Sequence, residues 1–205
     1  MKIFVWGNNY VPDNKERQET FSSQEPYLYL KPDSSVLKDG KPFFLPDFSD
    51  DVRAEVECVV KISRLGKSIS PRFASRYYNE VTVGVNFVAC DLRERFEIRR
   101  EPWDLAVGFD NSAVLGKFAV WPEEEHGKNL RFRLEINGKP VQQGETSRMR
   151  QSIEEGIAGL SGYYTLKIGD LIYTGSPSEE SVQIRIGDHL EGYLEEEKLL
   201  DFYVR

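Results

Sequence analysis

Apolar and polar residues alternate with a period of two along several stretches of this chain, as they do in half-buried strands. The longest is Val52–Ile62. Ala54, Val56, Cys58, Val60 and Ile62 fall on one face, and Arg53, Glu55, Glu57, Val59 and Lys61 on the other. Residues 81–88 repeat the pattern, with Val81, Val83, Val85 and Phe87 opposed to Thr82, Gly84, Asn86 and Val88. Further strands are predicted at 2–6, 27–30, 43–45, 114–120, Arg131–Ile136, 170–173, 182–186, 189–193 and 199–204. Asn137-Gly138 reads as a type I′ hairpin turn leading into a strand near 140–142. Asp39-Gly40, Asp110-Asn111, Gly169-Asp170 and Gly187-Asp188 mark other turns.

Helical spacing is rarer. The strongest case is 146–160, where Met149, Ile153, Ile157 and Leu160 form one apolar stripe and Gly162 offers a stop. Residues 71–78 and the charged segment 91–100 are weaker candidates. Residues 13–18 could form a short helix with Asp13 and Glu16 as a capping box. Many short strands, few helices and regular turns predict a β-rich α+β fold.

At 205 residues the chain is long enough for one substantial core. We expect one domain over 1–205: an N-terminal strand, a lid-like segment and a strand in 1–45, then the core in 46–205. The net charge of −7 argues against nucleic acid as a partner, because phosphate contacts need clustered Lys and Arg. Arg93, Arg95, Arg99 and Arg100 do cluster, but Glu94, Glu97 and Glu101 interleave them. No apolar run approaches a membrane span. Cys58 and Cys90 both lie in apolar, strand-like contexts, which predicts a reduced, cytoplasmic protein without a disulfide. His126 and His189 show no metal-ligand spacing with a second His or Cys, and read as surface or turn residues.

The candidate chemistry lies in Glu55 and Glu57. They point the same way, roughly 7 Å apart at about 3.3 Å per residue. Two neighbouring carboxylates repel unless a cation sits between them or one is protonated, and oxygen ligands of this kind bind hard divalent cations. The pattern alone favours a solvated face, with Arg53 and Lys61 as partial compensation.

A series of short motifs alters that balance. It runs Gly7-Asn8-Asn9-Tyr10, Leu30-Lys31-Pro32, Glu55-Val56-Glu57, Ala89-Cys90-Asp91-Leu92, Trp103-Asp104-Leu105-Ala106 and Gly108-Phe109-Asp110. It continues with Asn137-Gly138, Gln142-Gln143-Gly144-Glu145-Thr146, Leu166-Lys167-Ile168-Gly169-Asp170 and Tyr173-Thr174-Gly175-Ser176-Pro177. Each motif is weak, but their order and spacing resemble the fumarylacetoacetate hydrolase (FAH) family over nearly the whole chain. The resemblance implies an FAH-type mixed β-roll fold, often a homodimer. It implies a divalent cation, Mg²⁺ or Mn²⁺ with Ca²⁺ as a further option, held by three carboxylates. It also implies hydrolase, isomerase or decarboxylase chemistry on a small 2-oxo or β-diketo acid, with C–C cleavage or keto-enol isomerisation.

Carried across residue by residue, the metal set becomes Glu55, Glu57 and Asn86, the last standing where the family has a third carboxylate. Asparagine offers an oxygen but no charge, so the resemblance implies a cation held weakly or not at all. The family's substrate arginine is here Cys90, its glutamine Arg93, and its lysine Val107. Arg93 is thereby the candidate for the substrate carboxylate. The lid histidine and glutamate fall on Asp13 and Glu16, which leaves Glu16 as candidate base. The arginine before Asn9 is Asn8, and the glycine-rich turn becomes Ser178-Glu179-Glu180-Ser181. Lys31 and Thr174 are retained, as candidate catalytic and substrate-binding residues. Two expectations follow: an enzyme of this class with altered and weakened activity, or a catalytically inactive FAH-fold protein kept for binding or assembly.

Overall fold

In the computed structural model, residues 1–11, 25–178 and 181–205 are described. The predicted helix at 13–18, the candidate base Glu16 with its neighbour Asp13, and Glu179 and Glu180 lie outside them. The strands are β1 (Ile3–Gly7), β2 (Tyr27–Lys31), β3 (Val36–Leu37), β4 (Val52–Ile62), β5 (Tyr78–Ala89), β6 (Ala113–Leu115) and β7 (Ala119–Val120). They continue as β8 (Arg131–Ile136), β9 (Lys139–Glu145), β10 (Leu171–Tyr173), β11 (Val182–Gln183), β12 (His189–Leu194) and β13 (Glu197–Tyr203). The α-helices are α1 (Cys90–Arg99), α2 (Asp104–Val107) and α3 (Ile153–Tyr163). This is the β-rich fold with few helices that the pattern predicts.

Among the described residues, nine strands form one curled sheet, with β2-β1-β10-β4-β5-β6-β3 as its main path and β11 and β7 pairing with β4 and β5. Four strands, β13-β12-β8-β9, form a second sheet. β1 runs parallel to β10 and antiparallel to β2, so the N-terminal strands belong to the same sheet as β4. The main core lies between the sheets. Val56, Cys58 and Val60 of β4 and Val83, Val85 and Phe87 of β5 meet Phe132, Leu134, Leu190 and Phe202 there. The second face of β4 and β5 is also covered. Val59 packs with Ile3, Val5, Tyr173 and Ala113, so this face is not solvated.

The hairpin at Asn137-Gly138 has both residues at positive φ, as a type I′ turn requires. Other expectations need correction. The segment 146–160 is not one helix. Thr146–Arg148 forms a 3₁₀ turn, Met149 is extended, and α3 starts at Ile153. Ser152 sets that start: its hydroxyl accepts from the Glu155 N–H, and the Glu155 carboxylate accepts from the Ser152 N–H. Upstream, Arg150 and Gln151 give their backbone N–H groups to Asn9, which leaves them unavailable to a helix. Gly162 does not stop α3, which runs through Tyr163 to an extended Tyr164. Pro71–Tyr77 is 3₁₀.

The predicted strand at 114–120 breaks into β6 and β7, because the N–H of Gly116 bonds to Val83 O and that of Lys117 to Leu199 O. Only Val182–Gln183 of 182–186 pairs as a strand, and 43–45 contributes a bridge from Phe43 to Val204. Cys90 opens α1 and is half-buried, whereas Cys58 is fully buried on β4. No helix among the described residues is long and apolar enough to cross a membrane.

Candidate metal centre

Strand register assembles the site. β4 and β5 pair antiparallel, with Glu55 opposite Asn86 and Glu57 opposite Gly84. All three polar side chains therefore share the face turned away from the main core. Glu57 and Asn86 are fully buried, which overturns the solvated reading of this face. Gly84 leaves room at the centre: a Cβ there would lie 2.8 Å from the Tyr173 ring and 2.9 Å from Val114 O.

The Asn86 amide nitrogen donates to Glu55 Oε2 at 2.9 Å and to the Tyr29 hydroxyl at 2.7 Å. Glu57 Oε2 accepts the backbone N–H of Gly175 at 2.6 Å. Burial and then the charge of Glu55 push the Glu57 carboxyl well above the ordinary range, while Gly175, Lys31 and the Asn86 amide pull it back. Burial also raises Glu55, against the positive charges of Arg93 and Lys31.

These residues fit a hard divalent cation. Two carboxylates and an amide supply an all-oxygen donor set. Glu57 Oε1 is buried without a hydrogen-bond partner, and burying an oxygen in that state is costly unless something positive reaches it.

Beside Glu55 opens a cavity of about 180 Å³, lined by Tyr10, Tyr27, Tyr29, Arg93 and Ser176 among others. Arg93 projects from the second turn of α1. Its Nη2 donates to the Tyr27 hydroxyl at 2.9 Å, its Nε donates to Glu97 at 2.8 Å, and its guanidinium lies 4.9 Å from the Trp103 ring centre. Trp103 meets Tyr27 and Tyr29 edge-on, which holds this wall together.

Lys31 and Thr174 stand behind this wall rather than in it. Lys31 Nζ is buried and donates to Phe87 O, Ser112 O and Ser112 Oγ at 2.8–3.1 Å. Burial lowers its pKa to about 7, against the raising effect of Glu57 and Glu55. Thr174 Oγ1 donates to Cys58 O and shares a 3.0 Å hydrogen bond with the Tyr10 hydroxyl, so it positions Tyr10, which does line the cavity. Val107 is buried in α2, where its backbone carbonyl accepts from the Ser112 hydroxyl.

The aromatic wall went unassigned in the sequence reading. The available signal was Tyr27, Tyr29 and Lys31 at i, i+2 and i+4, which puts three polar tips on one face of β2. A second cluster, His189, Glu191 and Asp201, lies on β12 and β13. There Lys198 Nζ already bonds Glu191 at 2.9 Å and Asp201 at 2.7 Å.

Comparisons with known proteins identify the family and the fold. The model of the fumarylacetoacetate (FAA) hydrolase C-terminal family matches residues 2–199. The mitochondrial oxaloacetate tautomerase FAHD1 of Mus musculus is 33% identical over 175 residues, 85% of this chain and 79% of its own. A putative fumarylpyruvate hydrolase of Burkholderia cenocepacia has a solved structure that superposes with a TM-score of 0.86 at 30% identity, covering 100% of this chain and 88% of its own. The structure of fumarylpyruvate hydrolase from Pseudomonas aeruginosa with Mn²⁺ and pyruvate shares the fold, with a TM-score of 0.87 at 23% identity over 100% of this chain and 89% of its own.

Proposed function

Because the chain belongs to the fumarylacetoacetate hydrolase family, we propose that it is a divalent-metal-dependent enzyme acting on a small 2-oxo or β-diketo acid, with activity altered by its changed site. The observation that carries this reading is the convergence of Glu55, Glu57 and Asn86 beside a cavity that Glu55 and Arg93 both line. Glu55, Glu57 and Asn86 hold the cation, Mg²⁺ or Mn²⁺. When bound, it polarises the oxo and carboxylate oxygens of the substrate. The relatives' names, an oxaloacetate tautomerase and a putative fumarylpyruvate hydrolase, support a reading of chemistry on a small oxo acid.

Each residue then has a task. Arg93, fixed by Tyr27 and Glu97, meets a substrate carboxylate in place of the arginine that Cys90 replaces. Tyr10, held by Thr174, and Tyr29, held by Asn86, offer hydroxyls to the substrate's oxygens. Lys31 supplies positive charge beneath the two glutamates without touching substrate. Val107 leaves the position of a family lysine without a side-chain donor. Glu16 remains the candidate base.

The test is an assay of oxaloacetate tautomerisation and decarboxylation and of acylpyruvate cleavage, with Mg²⁺ or Mn²⁺, on wild type and Glu55→Ala. Metal-dependent turnover that the substitution abolishes is expected. Calorimetric titrations in which both proteins respond alike to the cation would overturn the metal-centred reading. Cation binding without turnover of any of these acids would favour the second reading, a fold kept for binding or assembly.

A further inference from the structure

Resting on the metal-centred reading, we propose that Asn86 is a two-state side chain that holds the site together without a cation and turns over to bind one. In the arrangement seen here its nitrogen faces the acids. Nδ2 lies 2.9 Å from Glu55 Oε2 and 2.7 Å from the Tyr29 hydroxyl, and the same amide steadies the charge of Glu57. The amide hydrogens do what a cation would do between the carboxylates. Asn86 Oδ1 is left buried and unpartnered.

An amide nitrogen has no lone pair to give a metal, so in this orientation Asn86 offers no ligand to a cation lying against Glu55 Oε2. The oxygen and nitrogen of an asparagine have nearly the same shape, and rotation about the last side-chain bond exchanges them. After that rotation Oδ1 stands where Nδ2 stood. Facing Glu55 Oε2 at 2.9 Å, it would oppose a second acceptor, which is unfavourable unless a cation lies between them. Rotation and cation binding are therefore coupled. Tyr29 serves both states, because a hydroxyl accepts from Nδ2 in one and donates to Oδ1 in the other.

A carboxylate at this position could not do the same. Three acids would face one another, and without an ion they would repel unless at least one took a proton. Asparagine thus gives up affinity for the cation in return for a site that is stable without it.

The experiment combines three readouts. The side-chain amide resonances of Asn86 are followed by ¹⁵N–¹H NMR while the wild-type protein is titrated with Mg²⁺. Melting temperature is measured for wild type and Asn86→Asp in chelator and in Mg²⁺. Mg²⁺ affinity of both is measured by calorimetry. The Asn86 resonances should shift strongly on saturation. Asn86→Asp should bind Mg²⁺ about tenfold tighter or more, since ligand charge sets affinity at such sites. In chelator it should melt at least about 5 °C below wild type, or fail to fold without Mg²⁺. Wild-type binding with unmoved Asn86 resonances sinks the rotation alone and leaves the metal-centred reading standing. Binding by Asn86→Asp but not by wild type also overturns it. Absence of binding by both proteins overturns the two readings together.

Discussion

The backbone N–H of Gly175 reaches Glu57 Oε2 at 2.6 Å, tying the loop after β10 to the buried acid on β4. Gly175 stands at φ +101°, and a Cβ there would lie 2.8 Å from Trp6 O. Gly175→Ala therefore strains the backbone and draws the N–H away from Glu57. We expect a loss of about 2 kcal/mol, or roughly 4–8 °C in melting temperature for a chain of this size. Mg²⁺ affinity should fall with it, since the acid loses the donor that orients it. Thermal melts and calorimetry on the same preparation check both.

Stability of the chelated protein should depend on pH in a defined sense. Glu55 and Glu57 have folded pKa values raised from the ordinary 4.5, so the native state holds protons that the unfolded chain releases. Their contribution is fully present below 4.5 and is lost as pH rises through the raised values. Lys31 acts oppositely. Its pKa falls from 10.5 to about 7, so its penalty is complete below 7 and relieved towards 10.5. Melting temperature in chelator should decline from acid toward neutral pH and flatten or recover above it. Glu57→Gln should shrink the decline; an unchanged profile in this variant would contradict the assignment.

Arg93 donates to Tyr27 and Glu97 through different nitrogens. A lysine cannot reproduce that fork. Arg93→Lys is expected to raise KM for a carboxylate substrate about tenfold with a smaller change in kcat, the pattern of a lost ground-state contact. Tyr27→Phe should move KM in the same direction by less. Steady-state kinetics on the two variants separates this from a folding defect, which would lower kcat with the amount of active protein.

Asn9 is fully buried and joins three segments. Its Nδ2 donates to Thr174 O at 2.9 Å and Gln151 O at 3.2 Å, and its Oδ1 accepts from Gln151 N at 3.0 Å. Asn9→Ala leaves those backbone groups without partners, at a cost of about 2–3 kcal/mol. The midpoint in urea should drop with little change in slope.

The fold was largely legible because β4 and β5 keep a period of two over most of their length and turns such as Asn137-Gly138 have a local cause. The helix predicted from Thr146 failed for a non-local reason. Met149, Ile153, Ile157 and Leu160 carry helical spacing, but Asn9, some 140 residues away, claims the backbone N–H groups of Arg150 and Gln151. In the site, Glu55, Glu57 and Asn86 were legible as a group through the resemblance. The aromatic wall of Tyr27, Tyr29 and Trp103 was not, since a tyrosine in a strand pattern reads equally as packing.

By itself the sequence determined which residues share a face, because side-chain direction in a strand follows from counting by two. Through the family resemblance it also implied that an amide, Asn86, stands where the family has a third carboxylate. Tertiary structure alone decided that this face is buried, that the Asn86 nitrogen rather than its oxygen meets Glu55, and that Lys31 and Thr174 stand behind the cavity wall. Those outcomes depend on how sheets and loops distant in sequence close over β4 and β5. Burial and hydrogen-bond partners are set by that closure, and no local pattern encodes it.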